Sequence, residues 1–353
     1  MTIQDIIYAG REIGASDIHI SEGMPLEMRV NGRLSAAPAG IQPASPEDTK
    51  NIILDMMDEK QRMIFDTGKD SDFAIQTPDG KRNRVNVFRQ QKAVAATIRL
   101  LNDHIPSLAE LHLPDVLQNL ADQPRGLVLV TGPTGSGKST TLAAMVDHIN
   151  KTRSEHILTI EDPVEYKYES GMSLIHQREV GTDTESFASS LRSALREDPD
   201  VILVGEMRDF ETISAAVTAA ETGHLVMSTL HTTGAAQTID RIIDACPAGA
   251  QNQMRSQLSA IVKGVITQCL IPRADGHGRV AATEILIGTD AALNLIRENK
   301  CFQLNSTMQS GAAVGMHTLN GDLTRLVRAH QISSEMALQY SNDRKDLQQY
   351  LML

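Results

Sequence analysis

The spacing of hydrophobic residues in the first hundred positions predicts a small mixed domain. Ile3, Ile6 and Ile7 recur at helical spacing, which predicts an amphipathic helix at the start of the chain. Alternating apolar and polar residues predict strands at 17–20, 26–30, 72–76, 82–89 and 93–100, with a hairpin turn at Asn31-Gly32 and a helix from Pro46 to about residue 60. We therefore expect an α+β domain over residues 1–101.

After residue 125 the pattern changes to short, mainly apolar runs separated by longer helical stretches. The runs lie at 127–131, 157–160, 201–204 and 225–230, and runs of this kind are typical of parallel strands buried on both faces. Thr182 and Glu185 predict a capping box ahead of a helix. We expect a linker with three prolines and one short helix over 102–125, an α/β domain over 126–285 and a helical region over 286–353.

Composition favours a soluble globular protein. Hydrophobic residues make up 41% and charged residues 22% of the 353 positions, and no apolar run approaches the roughly 18 residues of a membrane helix. Without a signal-peptide pattern at the start, we expect a cytoplasmic protein with no membrane span. The formal charge of −11 disfavours stable nucleic-acid binding, which needs a basic footprint. Three separated cysteines, Cys246, Cys269 and Cys301, predict buried, reduced thiols and no zinc ribbon.

A phosphate-binding loop follows the first apolar run of the α/β part. Residues 132–139, GPTGSGKS, match the pattern G-x-x-x-x-G-K-[ST] in full. Glycines let backbone N–H groups curl around phosphate oxygens, and the helix that begins near Lys138 directs its positive end at the same anion. We expect Lys138 to reach the β- and γ-phosphates and Ser139 to bind Mg²⁺. The predicted ligands are ATP and Mg²⁺, held by Gly132, Pro133, Thr134, Gly135, Ser136, Gly137, Lys138, Ser139 and Thr140.

Carboxylates follow two of the other apolar runs. Glu206 comes just past residues 201–204, where a P-loop enzyme needs an acid for its metal, and a glutamate there would act through water. Glu161 follows residues 157–160 and is the predicted base for the attacking water, supported by Asp162 and Glu165. A solvated acidic loop is the alternative interpretation of residues 161–165.

Two histidines, His224 and His231, bracket the apolar run at 225–230. His231 would emerge at the end of the strand, where an imidazole can hydrogen-bond a γ-phosphate and report its loss. A structural role is the alternative for both, and no third ligand at a helpful spacing supports a metal site.

Positive charge concentrates on two strands of the first domain. A solvated strand face would explain it. The sharper hypothesis is that one or two of these side chains reach the phosphates of a neighbouring subunit's nucleotide, because guanidinium stays charged and binds oxygens in pairs. The residues are Lys81, Arg82, Arg84, Arg89 and Arg99.

The combined motifs resemble the secretion ATPases that power type IV pili, and among them the retraction ATPases. The resemblance covers nearly the whole chain. It implies an α/β fold in which a RecA-like P-loop ATPase domain follows a smaller α+β PAS-like domain and precedes a helical C-terminal region. It also implies a ring-shaped homohexamer with ATP at the subunit interfaces. The matching segments are ASDIHI from Ala15, RVNVF from Arg84, TIEDPVEY from Thr159, REDPDVILVGEMRD from Arg196 and TGHLVMSTLHT from Thr222.

Position within these motifs implies a role for each matching residue. The implied roles are phosphate and Mg²⁺ ligands for Lys138 and Ser139, catalytic glutamate for Glu161, Walker B residue for Glu206, phosphate sensor for His231, and arginines of the N-terminal domain for Arg84 and Arg99.

Two differences from the assembly ATPases favour retraction over pilus assembly. The assembly ATPases carry a long extra N-terminal region and a four-cysteine metal subdomain, and neither is found in this sequence. The implied partners are an inner-membrane platform protein, which would hold the ring at the inner face of the cytoplasmic membrane, and an accessory retraction paralogue. Leu293 stands where retraction ATPases have the first arginine of a C-terminal motif. An ATP-binding scaffold, an accessory retraction subunit and a DNA-handling translocase are the alternatives.

Overall fold

Two structural units divide the chain. The computed structural model describes residues 1–30, 32–101 and 104–352. The first unit comprises Met1–His104 with Pro163–Lys167, and the second comprises Ile105–Asp162 with Tyr168–Leu353. Asn31, in the predicted hairpin turn, and residues 102 and 103, at the head of the predicted linker, lie outside the described residues.

The first unit is built on an antiparallel sheet of six strands. They pair in the order β3-β2-β1-β6-β5-β4. The elements in chain order are α1 Ile3–Glu12, β1 Ala15–Ser21, β2 Glu27–Val30, β3 Arg33–Ala36, α2 Pro46–Leu54, α3 Glu59–Asp66, β4 Ser71–Gln76, β5 Arg82–Gln90 and β6 Ala93–Leu100.

Strand alternation gives this sheet one apolar and one polar face. Ile18, Ile98 and Val85 lie in one row across β1, β6 and β5 and pack with the three helices in a single hydrophobic cluster. Successive side chains point to opposite faces of a strand, so the adjacent residues face away from the helices. These residues include Arg84 and Arg99.

The helix predicted over 46–60 is two helices. The chain turns after Asp55, and Asp58 begins α3 as its N-cap: its side chain accepts from the backbone N–H of Gln61, whose side chain accepts from that of Asp58. This reciprocal capping box stabilises a new helix start, which the continuous hydrophobic pattern did not show.

The second unit contains a seven-stranded, mostly parallel sheet with helices on both faces. Its elements are α4 Val116–Ala121, β7 Gly126–Thr131, α5 Lys138–Thr152, β8 His156–Glu161, β9 Leu174–Glu179, α6 Phe187–Ala194, β10 Val201–Val204, α7 Phe210–Glu221, β11 Leu225–Leu230, α8 Ala235–Asp244, α9 Gln251–Ile261, β12 Val262–Pro272, β13 Arg279–Ile287, α10 Asp290–Arg297, α11 Leu304–Ser310, α12 Leu319–Arg328, α13 Ser334–Tyr340 and α14 Arg344–Met352.

The order β13-β12-β7-β11-β10-β8-β9 places the phosphate-loop strand between β12 and β11. All neighbours are parallel except β12 and β13. The central strands are buried on both faces: Leu127 and Leu129 join one core cluster, and Val128 and Val130 the other. This confirms the prediction drawn from the continuous apolar runs.

Three local predictions for this unit need correction. Residues 105–125 are part of the unit, because Leu108, Leu113 and Leu117 are buried in the core around α5. The capping box lies four residues later than predicted: Ser186, not Thr182, caps α6, and Ser189 reciprocates. Strands β9, β12 and β13 add to the predicted sheet.

The region from Asp290 onward is helical, as the pattern predicts. Leu293, on α10, is partly buried against the larger core cluster. In the described part of the chain, every helix is too short or too polar to cross a membrane.

Candidate nucleotide-binding site

The phosphate loop connects the carboxyl end of β7 to the first turn of α5. Gly137 is the N-cap of α5 and lies in the left-handed region at φ +88°. A glycine has no side chain to cap the first helical N–H groups, so these stay available to an anion. The local structure therefore has the form that phosphate binding requires.

Gly132 is the tightest point of the loop. A Cβ atom built there would lie 2.2 Å from the backbone oxygen of Gln268, and its φ is +140°. Only glycine meets both conditions without displacement of the main chain. The first position of the motif is thus fixed by the neighbouring strand β12.

Lys138 folds back over the loop. Its Nζ donates to the carbonyl oxygens of Gly132 and Pro133 at 3.0 and 3.1 Å, and the residue is buried. Ser139, next on the helix, is exposed. The ammonium group therefore lies against the loop backbone, and the residue predicted to bind Mg²⁺ faces solvent.

The predicted acids and His231 lie at the same edge of the sheet as the loop. β8, β10 and β11 run parallel to β7, so Glu161, Glu206 and His231 all follow carboxyl ends of strands. In open α/β sheets this edge is where ligands bind.

Glu206 and His231 contact each other. His231 Nε2 lies 3.4 Å from Glu206 Oε2, and Arg208 lies 2.5 Å from Oε1. The Glu206 side chain is only 14% exposed. Thr229 Oγ1 donates to the carbonyl of Gly205 at 2.6 Å and ties the two strand ends together. The result is a carboxylate held between two cationic or polar groups.

Glu161 ends β8 and is held by two side chains. Its Oε1 accepts from Thr159 Oγ1 at 2.6 Å and from Gln177 Nε2 at 3.2 Å. Gln177 lies on β9, a strand that the sequence analysis missed. Asp162 is exposed, and Glu165 belongs to the first unit. The three acids that adjoin in sequence are therefore divided between the two units.

The first unit brings Arg84 and Arg99 side by side. They are direct partners across β5 and β6, and Asp17 lies opposite Arg99 on β1. Arg84 binds both carboxylate oxygens of Asp72, at 3.1 and 2.6 Å, and Arg99 donates to Asp17 at 3.0 Å. Arg99 is the more exposed, at 61% against 38% for Arg84. No sequence pattern predicted either aspartate as an arginine partner.

Arg89 instead packs on Phe65, a core residue of the first unit. Its guanidinium lies 3.7 Å over the ring of Phe65 and donates to the Phe65 carbonyl. Such stacking packs the end of α3 against the sheet.

His224 lies at the opposite end of β11 from His231. It precedes Leu225, which pairs with Gly126 at the start of β7. Its Nδ1 lies 2.8 Å from the carbonyl oxygen of Ala219. About six residues of strand, roughly 20 Å, separate it from the loop within one chain.

The donors at the loop suit a hard cation. A serine hydroxyl and a glutamate oxygen are ligands of the type that Mg²⁺ prefers, with water completing the shell. Among the described residues, no group of three or more histidine, cysteine, aspartate or glutamate side chains could hold a metal by itself.

Comparisons with known proteins agree with this geometry. A family model described as type II/IV secretion system protein matches residues 2–351. The chain belongs to this family. It is 50% identical over 337 residues to the type IV pilus retractation ATPase PilT of Pseudomonas aeruginosa, covering 96% of this chain and 97% of that protein.

Two further relatives point to the same branch of the family. A twitching motility protein of Neisseria gonorrhoeae is 54% identical over 293 residues, covering 83% of this chain and 78% of that protein. A crystal structure of the pilus retraction motor PilT with bound ADP superposes with a TM-score of 0.91 at 47% identity, over 99% of both chains. The predicted fold class and the resemblance to the retraction ATPases are confirmed.

Proposed function

We propose that this protein is a homohexameric motor that hydrolyses ATP to ADP and phosphate and so drives type IV pilus retraction. One observation carries the proposal. A complete phosphate loop ends a buried parallel strand in a chain that is 50% identical, over 96% of its length, to a pilus retraction ATPase. In this proposal the site is completed by charged groups of a neighbouring subunit.

Phosphate binding falls to residues 132–140. Lys138 now donates to two loop carbonyls and would exchange these for β- and γ-phosphate oxygens. The first-turn N–H groups of α5 would add hydrogen bonds and the positive end of the helix.

Ser139 and Glu206 are the residues that would hold Mg²⁺, the glutamate through water. When bound, the ion would neutralise charge that develops on the phosphate oxygens. The contacts of Glu206 with Arg208 and His231 fix the direction of its carboxylate.

Glu161 is the proposed base for the attacking water. Thr159 and Gln177 fix the rotation of its carboxylate, which would accept a proton from water. His231 is the proposed sensor, since its link to Glu206 would respond when the γ-phosphate leaves.

Arg84 and Arg99 are proposed to act on the nucleotide of the neighbouring subunit. Asp72 and Asp17 hold the two guanidinium groups side by side on the polar face of the sheet. A positioned arginine supplied by a neighbour is worth about 10³–10⁵ in rate. Turnover would then require an assembled ring.

The proposed setting is the cytoplasmic face of the inner membrane. There the ring would contact a platform protein of the pilus, and an accessory retraction paralogue could join it. Stable nucleic-acid binding is not part of the proposal, because the chain carries a formal charge of −11.

The test is ATP hydrolysis by purified protein across a concentration series, with mass measured in the same samples. We expect turnover to rise as hexamers form, and to be lost in Glu161→Gln and Arg84→Ala although both still bind ATP. Concentration-independent turnover by monomers would refute the ring mechanism. Hexamers that bind ATP without turnover would indicate the scaffold, and salt-sensitive stimulation by DNA would indicate a translocase.

A further inference from the structure

Gln268, on strand β12, is a buried polar residue in contact with the phosphate loop from behind. It is 2% exposed and follows Thr267, which pairs with Thr131 at the end of β7. Its Nε2 donates to the backbone carbonyl of Ser136 at 2.6 Å. Its Oε1 accepts from Thr141 Oγ1, on α5, at 2.9 Å. One carboxamide therefore holds both the loop and the helix that follows it.

The bond to Ser136 also sets the direction of an N–H group. In a planar trans peptide the N–H points the opposite way from the preceding carbonyl. Holding the Ser136 carbonyl towards Gln268 turns the N–H of Gly137 away from β12. Gly137, at φ +88°, is among the glycines whose N–H groups the phosphate motif requires.

The second bond fixes the helix relative to the loop. Thr141 is buried in the first turn of α5, directly after the motif residues. A methionine at position 268 would fill similar space but make neither hydrogen bond, and a glutamate would lose the donor to Ser136. The amide donates to a carbonyl and accepts from a hydroxyl at the same place, which neither methionine nor an ionised glutamate can do.

We propose that Gln268 is a positioning residue for nucleotide binding, which orients the Gly137 N–H and the start of α5 without touching the nucleotide. The inference rests on the proposed nucleotide site. It also extends that site to strand β12, which no sequence motif marks.

The test is the affinity for a fluorescent ADP analogue, measured beside steady-state ATP hydrolysis in the full-length protein. Gln268→Glu places a carboxylate oxygen against the Ser136 carbonyl and near the bound phosphates, so we expect about 100-fold weaker binding. Gln268→Met should weaken binding about tenfold, and Thr141→Val, which removes one bond, about threefold. KM should rise more than kcat falls, because the loop binds ground state and transition state alike.

Thr267→Val is the matched control. It removes the buried hydrogen bond between Thr267 and Thr131, 2.8 Å long, from the same strand pair without touching the loop carbonyl. We expect it to lower the melting temperature but leave ADP affinity unchanged. A merely structural role for Gln268 would give that same pattern in its variants.

Two results would overturn the proposal, and they differ in meaning. Folded Gln268→Met and Thr141→Val proteins that bind ADP within twofold of wild type would refute the positioning role alone. If Gln268→Glu does not fold, the ADP affinities of Gln268→Met and Thr141→Val alone test the positioning role. Wild-type protein that binds no ADP would refute the nucleotide site and the positioning role together.

Discussion

Gly132→Ala tests whether the tight packing behind the phosphate loop is needed for catalysis. The new Cβ would lie 2.2 Å from the backbone oxygen of Gln268. Real Cβ atoms essentially never come within 3.0 Å of another heavy atom in this way. Because the obstacle is main chain, no side-chain rotation relieves it, and the loop or β12 must move by about 1 Å. The positive φ adds about 1–2 kcal/mol of backbone strain.

A displacement of that size predicts a large catalytic loss. Misplacing reacting groups by about 1 Å costs about 100-fold, and overpacking costs about 1–3 kcal/mol of unfolding free energy. The assay is kcat/KM for ATP with denaturant unfolding on the same sample. Gly276→Ala is the control, since Gly276 also has a positive φ, +78°, but open space around its Cβ. It should lose stability and keep activity. A Gly132→Ala protein with activity within about threefold of wild type would refute the reasoning.

Three further predictions concern titratable groups outside the proposed chemistry. Burial raises the pKa of Glu284, so the folded chain keeps a proton that the unfolded chain releases, and wild type should lose unfolding free energy relative to Glu284→Gln as pH rises above 4.5. Denaturant unfolding across pH measures this, and a difference between the two proteins that does not change with pH would contradict it. Burial lowers the pKa of His317, so wild type should lose stability relative to His317→Gln as pH falls below 6.5; the same melts measure it, and parallel curves would count against it. Burial raises the pKa of Cys269 and of Cys301 to about 12, so a fraction of about 10⁻⁴ of each side chain is thiolate at pH 8. Mass spectrometry after treatment with an alkylating reagent should show both cysteines unmodified in native protein and modified in guanidinium, and rapid alkylation of native protein would disprove this.

Local sequence patterns were enough to predict most strands and the loop. The run at 225–230 is β11 to the residue, because a strand buried on both faces shows a nearly continuous apolar run, interrupted here only by the small buried residues Ser228 and Thr229. The phosphate loop was predictable for a similar reason, since its glycines, lysine and serine act within eight consecutive residues.

The rest depends on contacts between residues distant in sequence. Gln268 and Ser136 are 132 positions apart, and only the pairing of β12 with β7 brings them together. Asp17 and Arg99 meet across β1 and β6 in the same way. A short strand such as β9, with charged and apolar residues mixed, also lacks a periodic signal, so Gln177 could not be predicted as a partner of Glu161.

The central claim is that each ATP site is completed by an arginine of the neighbouring subunit. Mixing two inactive proteins, Lys138→Ala and Arg84→Ala, tests it directly. In a randomly mixed ring, about a quarter of the interfaces would pair an intact phosphate loop with an intact Arg84. We predict that ATP hydrolysis recovers to about that fraction of wild type on mixing. No recovery, in samples shown by mass to form mixed hexamers, would contradict a shared site.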